Sequence, residues 1–187
     1  VSAGVPVFEN IAGAIVYEMI GYASNDSGSQ LVPPGLCTML PALCDSLAAD
    51  KYRGNFLLNV ANTASHPLRI AFDSCARRYI PALRVLSLEV PGNGQIAPDF
   101  RRSDHARFWD ANRQALMLTD AANYRNLNYH TAGDTIGTLD FRFMSNIVKA
   151  TVATVATLAG IRHSGSGFSP LFTLPVTPAE QADAAAE

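Results

Sequence analysis

The sequence predicts an α/β fold in which helices flank a mostly parallel sheet, and three observations support this. Apolar runs of strand length alternate with segments of helical period between Asn55 and Gly160. Hydrophobic residues make up 48% of the 187 residues, enough to build the core of one domain. Turn-forming residues separate the segments, as in domains that layer helices on a sheet.

Four segments have the pattern of strands, at residues 12–20, 55–61, 83–90 and 115–119. The first is a short apolar run with β-branched residues, ended by Gly21. A run of this kind is typical of a strand buried on both faces. We therefore expect residues 12–20 to lie in the centre of the sheet.

Four segments have the period or the caps of helices. Ser65 is the expected cap of a helix over 65–80, with Pro67 in its first turn, and Ser103 is the expected cap of one over 104–112. Asp140 begins a long amphipathic helix that reaches Gly160. The fourth, a short helix over 37–49, interrupts a long loop over 23–53, and loops of that length usually have a function.

The ends of the chain lead to two further expectations. The sequence opens on Val1 without an initiator methionine or signal peptide, which indicates an excised or partial segment and leaves its location open. Residues 163–187 are rich in Ser, Gly, Pro and Ala and have no period, so we expect a disordered tail after a domain over residues 1–162.

Charge and composition exclude some classes of function. A net charge of −2 and a pI near 6.1 argue against a non-specific nucleic-acid binder. No stretch reaches the roughly 18 apolar residues of a membrane span. None of the three cysteines forms a C-x-x-C pair, so a structural zinc cluster is not expected. Cys37 and Cys44 would either form a disulfide in an oxidising compartment or remain free thiols like Cys75.

Glu18 is the exceptional residue of the first predicted strand, because burying a carboxylate without a partner or metal is costly. It either faces water from an edge strand or points into a site. In open α/β sheets, sites form at the loops that leave the strand C-termini. The loops after Glu18, Val90 and Thr119 are therefore the candidates for a site.

Residues 125–135 form a turn-rich loop that holds His130 after Tyr129 and four positions before Asp134. An imidazole with a nearby carboxylate is what a zinc site requires, since the carboxylate fixes the tautomer of the ligand. The loop after Val90 leads into Asp104 and His105. The simpler interpretation makes Asp104 a helix-dipole partner and His105 a surface residue; the alternative has Asp104 and Asp134 orient a ligand or a substrate amine.

Taken in order, several of these stretches resemble one family. They are Tyr17 to Tyr22, Gly54 to Phe56, Ser103-Asp104-His105 through Trp109, Ala115 to Asp120, and Arg125 to Thr135. Over residues 12–160 the chain resembles the C-terminal half of the catalytic domain of co-catalytic di-zinc exopeptidases. That family comprises secreted-type zinc aminopeptidases, with glutaminyl cyclases as relatives.

The resemblance implies roles for named residues. Glu18 and His130 match metal ligands, each serving a different zinc ion. Four more would support the ligands or contact substrate: Asp104, His105, Tyr129 and Asp134. The family has two zinc ions, acts on the N-terminus of a peptide, and is secreted or periplasmic.

Part of the family pattern is missing from this sequence. An earlier histidine, a bridging aspartate and a Glu-Glu pair that includes the general base should precede Glu18. The 17 residues there hold no His or Asp, and Glu9 is their sole carboxylate. We therefore expect weak or no zinc binding and no catalytic residue in this chain alone, until a preceding segment or a second copy completes it.

Two alternatives stay open beside the aminopeptidase. Glutaminyl cyclases have Trp where Tyr129 stands and an acidic residue where Ser103 stands, so both departures favour the peptidase. The other alternative is a non-catalytic interaction domain that kept the scaffold and lost the metals.

Overall fold

A four-stranded sheet forms the centre of the structure, a computed structural model that describes residues 11–95 and 98–161. Its strands lie in the order β1-β4-β2-β3. They are β1 (Ala14–Tyr17), β2 (Leu57–Asn62), β3 (Val85–Val90) and β4 (Ala115–Thr119). The expected tail over 163–187 lies outside the described residues.

The sheet is mixed but mostly parallel. β1 pairs with β4 in parallel, with Ala14 opposite Ala115, and β2 pairs with β3 in parallel, with Leu57 opposite Val85. The middle pair, β2 and β4, is antiparallel. Two parallel pairs out of three, with helices packed against the sheet, confirm the predicted α/β class.

The prediction that the first strand is central was wrong. β1 lies at one edge of the described sheet and hydrogen-bonds only to β4 within it, and Tyr17 is 40% exposed. Four of the residues predicted to extend over 12–20 form the strand, because Met19 adopts a left-handed φ of 56° and turns the chain away. Composition identified the apolar run, but not its place in the sheet.

The loop after Val90, one of the three candidate loops, leaves the sheet at a different end from the other two. Because β2 and β3 run antiparallel to β4, the C-terminus of β3 lies at the opposite end of the sheet from Glu18 and Thr119. The loop after Val90 first turns beside β2, where Asn93 accepts a hydrogen bond of 3.0 Å from Asn62. Its later residues, including Phe100, then line the same cavity as Glu18. The loop therefore reaches the site by crossing back over the sheet.

Five α-helices cover the sheet in the described part of the chain. They are α1 (Leu36–Met39), α2 (Pro41–Ala49), α3 (His66–Tyr79), α4 (His105–Asp110) and α5 (Phe141–Leu158). Alternate residues of β4 point to opposite faces: Leu116 and Leu118 pack with α3 and α5, while Ala115 and Met117 pack with Trp109 of α4 and with α2. The two faces thus carry separate cores. None of the helices in the described residues combines the length and apolarity that crossing a bilayer would need.

Of the three helix-capping residues predicted from the sequence, one caps its helix as expected. Asp140 caps α5 as predicted, accepting a hydrogen bond of 2.8 Å from the Phe143 N–H. Ser65 does not cap α3 with its side chain; its hydroxyl accepts from the Ala115 N–H at 2.9 Å and ties β4 to the end of β2. At α4 the capping position is Asp104 rather than Ser103, and the Asp104 side chain makes no capping bond.

The cysteine alternatives are resolved in favour of a disulfide. Cys37 of α1 and Cys44 of α2 are bonded, and Cys75 is buried as a free thiol. The disulfide joins two short helices inside the loop over 23–53, where a helix had been predicted. This loop is therefore a stapled excursion over one face of the sheet.

Candidate functional site

Glu18 leaves the sheet at the C-terminal end of β1. Its N–H donates to the Leu118 carbonyl at 2.9 Å, which extends the pairing with β4 by one residue. The half-buried side chain lines a cavity and makes no hydrogen bond or ion pair with another described residue. Of the two interpretations of Glu18, this position fits a carboxylate directed into a site, although β1 is an edge strand.

The cavity beside Glu18 has a volume of about 350 Å³. Four parts of the chain build its mainly apolar wall: the stapled loop, the face of the sheet, the loop after β3 and the loop after β4. Its apolar side chains include Leu31, Leu36, Met39, Leu43, Leu47, Phe56, Leu58, Phe100 and Met117. The long loop therefore forms one side of the cavity.

Polar side chains at the cavity lead to His130 through a series of contacts. The Tyr124 hydroxyl donates to Asp99 Oδ2 at 2.8 Å, and Arg102 Nη1 lies 3.9 Å from Asp99 Oδ1. Arg102 Nη2 also makes a long hydrogen bond of 3.5 Å to the Tyr129 hydroxyl. The Tyr129 ring stacks on His130 with centroids 3.9 Å apart. These contacts connect the His130 loop to residues of the cavity wall, although His130 itself does not line the cavity.

His130 is held by its backbone rather than by the expected carboxylate. It adopts a left-handed φ of 59° and its imidazole is exposed. Turn hydrogen bonds flank it, from the Thr131 N–H to the Asn128 carbonyl at 2.9 Å and from the Asp134 N–H to the Thr131 carbonyl at 3.1 Å. Asp134 is exposed, and its side chain makes no hydrogen bond to His130. The structure thus brings Tyr129, not Asp134, against the imidazole.

Asp120 and Arg125 anchor the start of the His130 loop, and sequence reasoning missed both as site residues. Asp120 accepts hydrogen bonds from the N–H groups of Tyr22 at 2.7 Å and Ala122 at 2.8 Å. Burial raises the pKa of Asp120, while the Tyr22 N–H and Arg125 oppose the rise. A carboxylate directly after a mainly apolar strand is costly to bury unpartnered, so the position of Asp120 was the available signal.

The Arg125 guanidinium connects three distant segments. Its Nε donates to Gln30 at 2.8 Å, and its Nη1 donates to the carbonyls of Tyr22 at 3.2 Å and Phe56 at 3.1 Å. The guanidinium also lies over the Phe56 ring, 4.5 Å from the centroid. Burial lowers the pKa of Arg125 to about 10, and nearby Asp120 limits the drop. This one side chain fixes the His130 loop to both the stapled loop and the sheet.

His105 is a core residue, so the interpretation that put it on the surface was wrong. It is fully buried, and its Nε2 donates to the Phe100 carbonyl at 2.8 Å. Its ring packs edge-on against the Trp109 ring, with the two centroids 4.5 Å apart. Its Nδ1 has no hydrogen-bond partner among the described residues. Burial lowers the pKa of His105, with a smaller opposing effect from Glu18. Asp104 beside it is exposed.

The residues present do not by themselves fit a zinc ion. A structural zinc has four ligands, and a catalytic zinc has three protein ligands with an open position. Over residues 11–95 and 98–161, no group of three or more His, Cys, Asp and Glu side chains is placed to hold a metal. The described part of the chain therefore does not add enough metal-binding side chains to Glu18 or to His130 to hold a zinc ion.

The fold defines an α/β domain in which helices flank a mostly parallel sheet, and a solved structure shares this fold. The crystal structure of the Legionella pneumophila LapA aminopeptidase matches it with a TM-score of 0.52, 17% sequence identity, and coverage of 81% of this chain and 32% of that one. A likeness at that identity shows a shared fold. No protein-family profile matches the chain.

In sequence, the chain is similar to the uncharacterized protein YfbL of Escherichia coli strain K12. The two are 32% identical over 145 residues, which is 74% of this chain and 39% of YfbL. The chain thus spans about two fifths of YfbL and about one third of the LapA structure.

Proposed function

We propose that this chain is the C-terminal portion of the catalytic domain of a di-zinc aminopeptidase, in which Glu18 and His130 each bind one zinc ion. The observation that carries the proposal is the half-buried, unpartnered carboxylate of Glu18, which lines a cavity at the sheet end where β4 leads into the His130 loop. A carboxylate that is partly withdrawn from water and has no partner favours a cation beside it. The shared fold with an aminopeptidase supports the same assignment.

The other ligands and the general base of the family pattern must come from sequence outside these 187 residues. Asp104, His105, Tyr129 and Asp134 remain the candidates to support the ligands or contact substrate. Tyr129 has the strongest geometric support, through its stack on His130. The substrate in this proposal is the N-terminus of a peptide.

A secreted or periplasmic location belongs to the same proposal. The Cys37–Cys44 disulfide supports it, since disulfides persist in oxidising compartments.

The test uses the full-length gene product with amino-acid p-nitroanilides as substrates. His130→Ala should lower kcat/KM at least about 100-fold and reduce bound zinc, since loss of even a ligand's supporting partner costs roughly 10–100-fold. The matched control is His66→Ala. His66 also lies near the surface, but it pairs with Glu89 at 2.7 Å at the opposite end of the sheet. Near-normal activity and zinc content in His130→Ala would overturn the ligand role.

The same protein separates the alternatives. Cyclisation of N-terminal glutamine by the wild-type protein, without hydrolysis of other residues, would assign it to the glutaminyl cyclases. A full-length product that binds no zinc, measured by elemental analysis after purification, would favour the interaction domain. Two zinc ions with hydrolysis of N-terminal residues is the result that we expect.

A further inference from the structure

We infer that β3 is a dimerisation edge, which pairs antiparallel with β3 of a second copy of this protein across a two-fold axis at Ser87. The pairing joins two four-stranded sheets into one continuous sheet. It uses the end of the sheet opposite to β1, so it does not depend on the proposed zinc sites.

β3 ends the described sheet without the usual protection of an edge strand. Among the described strands it pairs only with β2. Its residues, Val85–Val90, include neither proline nor lysine, which commonly block the edge of a sheet. Its one charged side chain, Glu89, is turned toward α3, where it contacts His66 at 2.7 Å. An edge left open in this way is a template for another strand.

The backbone groups that face this edge belong to alternate residues of β3. The Leu57 N–H donates to the Arg84 carbonyl at 2.9 Å, and Leu57 lies opposite Val85 in the parallel pair. The backbone groups of Val85, Ser87 and Glu89 therefore point away from β2. A copy centred on Ser87 matches all three, since Ser87 meets the partner's Ser87 and Val85 meets the partner's Glu89. Each such antiparallel pair exchanges two backbone hydrogen bonds.

The charges on the α3 side of β3 are complementary in this register. Arg69 lies beside Glu89, with Nε 3.6 Å from Oε2. Two turns further along α3, the exposed Arg77 lines a groove of about 370 Å³ together with Val85, and it has no partner among the described residues. The two-fold axis places the partner's Glu89 opposite Val85, and directly opposed side chains in paired strands interact. The acidic end of each β3 thus meets the basic end of the other.

The opposite side of β3 offers an apolar contact. Leu86 and Leu88 line a groove of about 420 Å³ with Leu40 and with Leu43 of α2. In the same register Leu86 lies opposite the partner's Leu88, which continues the apolar wall across the axis. A slip of two residues would set Glu89 opposite the partner's Ser87 and move it away from Arg77. The side chains on both faces therefore favour the axis at Ser87.

Sedimentation of the full-length gene product at about 1–100 µM tests the pairing, and we expect a dimer. Arg77→Glu should raise the dimer Kd at least about tenfold, because it turns two attractions between the copies into two repulsions. The matched control is Arg142→Glu, the same charge change at an exposed residue of α5 that lines neither groove. It should leave the Kd within about twofold of wild type.

Ser87→Cys tests the register. The Cα atoms of a hydrogen-bonded antiparallel pair lie about 5.5 Å apart, which suits a disulfide. The variant should therefore give a covalent dimer on a non-reducing gel, and dithiothreitol should reduce it. Ser74→Cys, at an exposed position of α3, is the control and should give no covalent dimer.

A full-length product that stays monomeric at about 100 µM would overturn the inference, as would a dimer that fails either the Arg77→Glu or the Ser87→Cys test. Slow amide hydrogen exchange at Ser87 in a monomer would overturn it too, by showing that another part of the gene product covers β3. A dimer that passes both tests supports it.

Discussion

Replacing Arg125 with methionine should lower the free energy of unfolding by roughly 3–5 kcal/mol, the usual cost of removing one partner of a buried charged group. The substitution keeps the apolar stem of the side chain and removes the guanidinium. Asp120, buried nearby, would lose the positive charge that limits the rise of its pKa. The prediction concerns the anchor of the His130 loop and does not depend on the proposed zinc sites.

The size of the expected loss in unfolding free energy follows from the contacts of Arg125. The guanidinium donates three hydrogen bonds, to Gln30 and to the carbonyls of Tyr22 and Phe56, and bonds to charged groups contribute about 1.5–3 kcal/mol each. The contact with the Phe56 ring adds about 1 kcal/mol or more where it is desolvated. Burial of the charge opposes these gains, as the lowered pKa shows, and Nη2 has no described partner. The net loss should therefore be smaller than the sum of the contacts.

Urea unfolding at pH 7 measures the loss as a fall in midpoint at unchanged m. The control is Arg84→Met, because Arg84 also lies over the Phe56 ring and pairs with Asp50 at 2.6 Å, but its side chain is 29% exposed. That change should cost only about 1 kcal/mol. Arg125→Lys should recover less than half of the loss, since one ammonium cannot reach three separated acceptors. A loss for Arg125→Met no greater than for Arg84→Met would refute the reasoning.

Two further predictions concern His105 and the disulfide. Burial lowers the folded-state pKa of His105, so its contribution to stability is present above its unfolded pKa of about 6.5 and is lost as the pH falls toward the folded value. Between pH 7.5 and pH 5, the urea midpoint of the wild type should fall further than that of His105→Gln. Equal falls in the two proteins would contradict this. Replacing both Cys37 and Cys44 with serine should cost roughly 2 kcal/mol for so short a loop. Dithiothreitol should lower the Tm of wild type but not of the double variant; a matching shift in both would show that the disulfide is not the group being reduced.

Local signals predicted the elements that local forces determine. β4 was predicted at the residues where it lies, and β2 within two, because both are apolar runs buried on both faces. Asp140 was recognised as the cap of α5 because its carboxylate accepts from an N–H only three residues along the chain. Ser65 failed the same reasoning, since its hydroxyl binds the N–H of Ala115, 50 residues away.

What depends on distant pairing could not be predicted in this way. The antiparallel junction of β2 and β4, and hence the edge position of β1, leaves no mark on any single strand. The sequence singled out Glu18 and His130, and the structure places their segments at one end of the sheet. The cavity was not predictable in detail, because its wall combines residues from Glu18 to Tyr124.

If His130 binds zinc as proposed, its left-handed backbone sets folding against function at a single residue. An ordinary side chain in that conformation costs roughly 1–2 kcal/mol, whereas glycine, and often asparagine, adopts it readily. Selection for thermal stability alone should therefore replace His130 early, and laboratory evolution toward heat resistance should converge on glycine or asparagine there. A stabilised variant obtained in this way would have lost its imidazole, so consensus or stability-guided redesign of this protein must hold position 130 fixed.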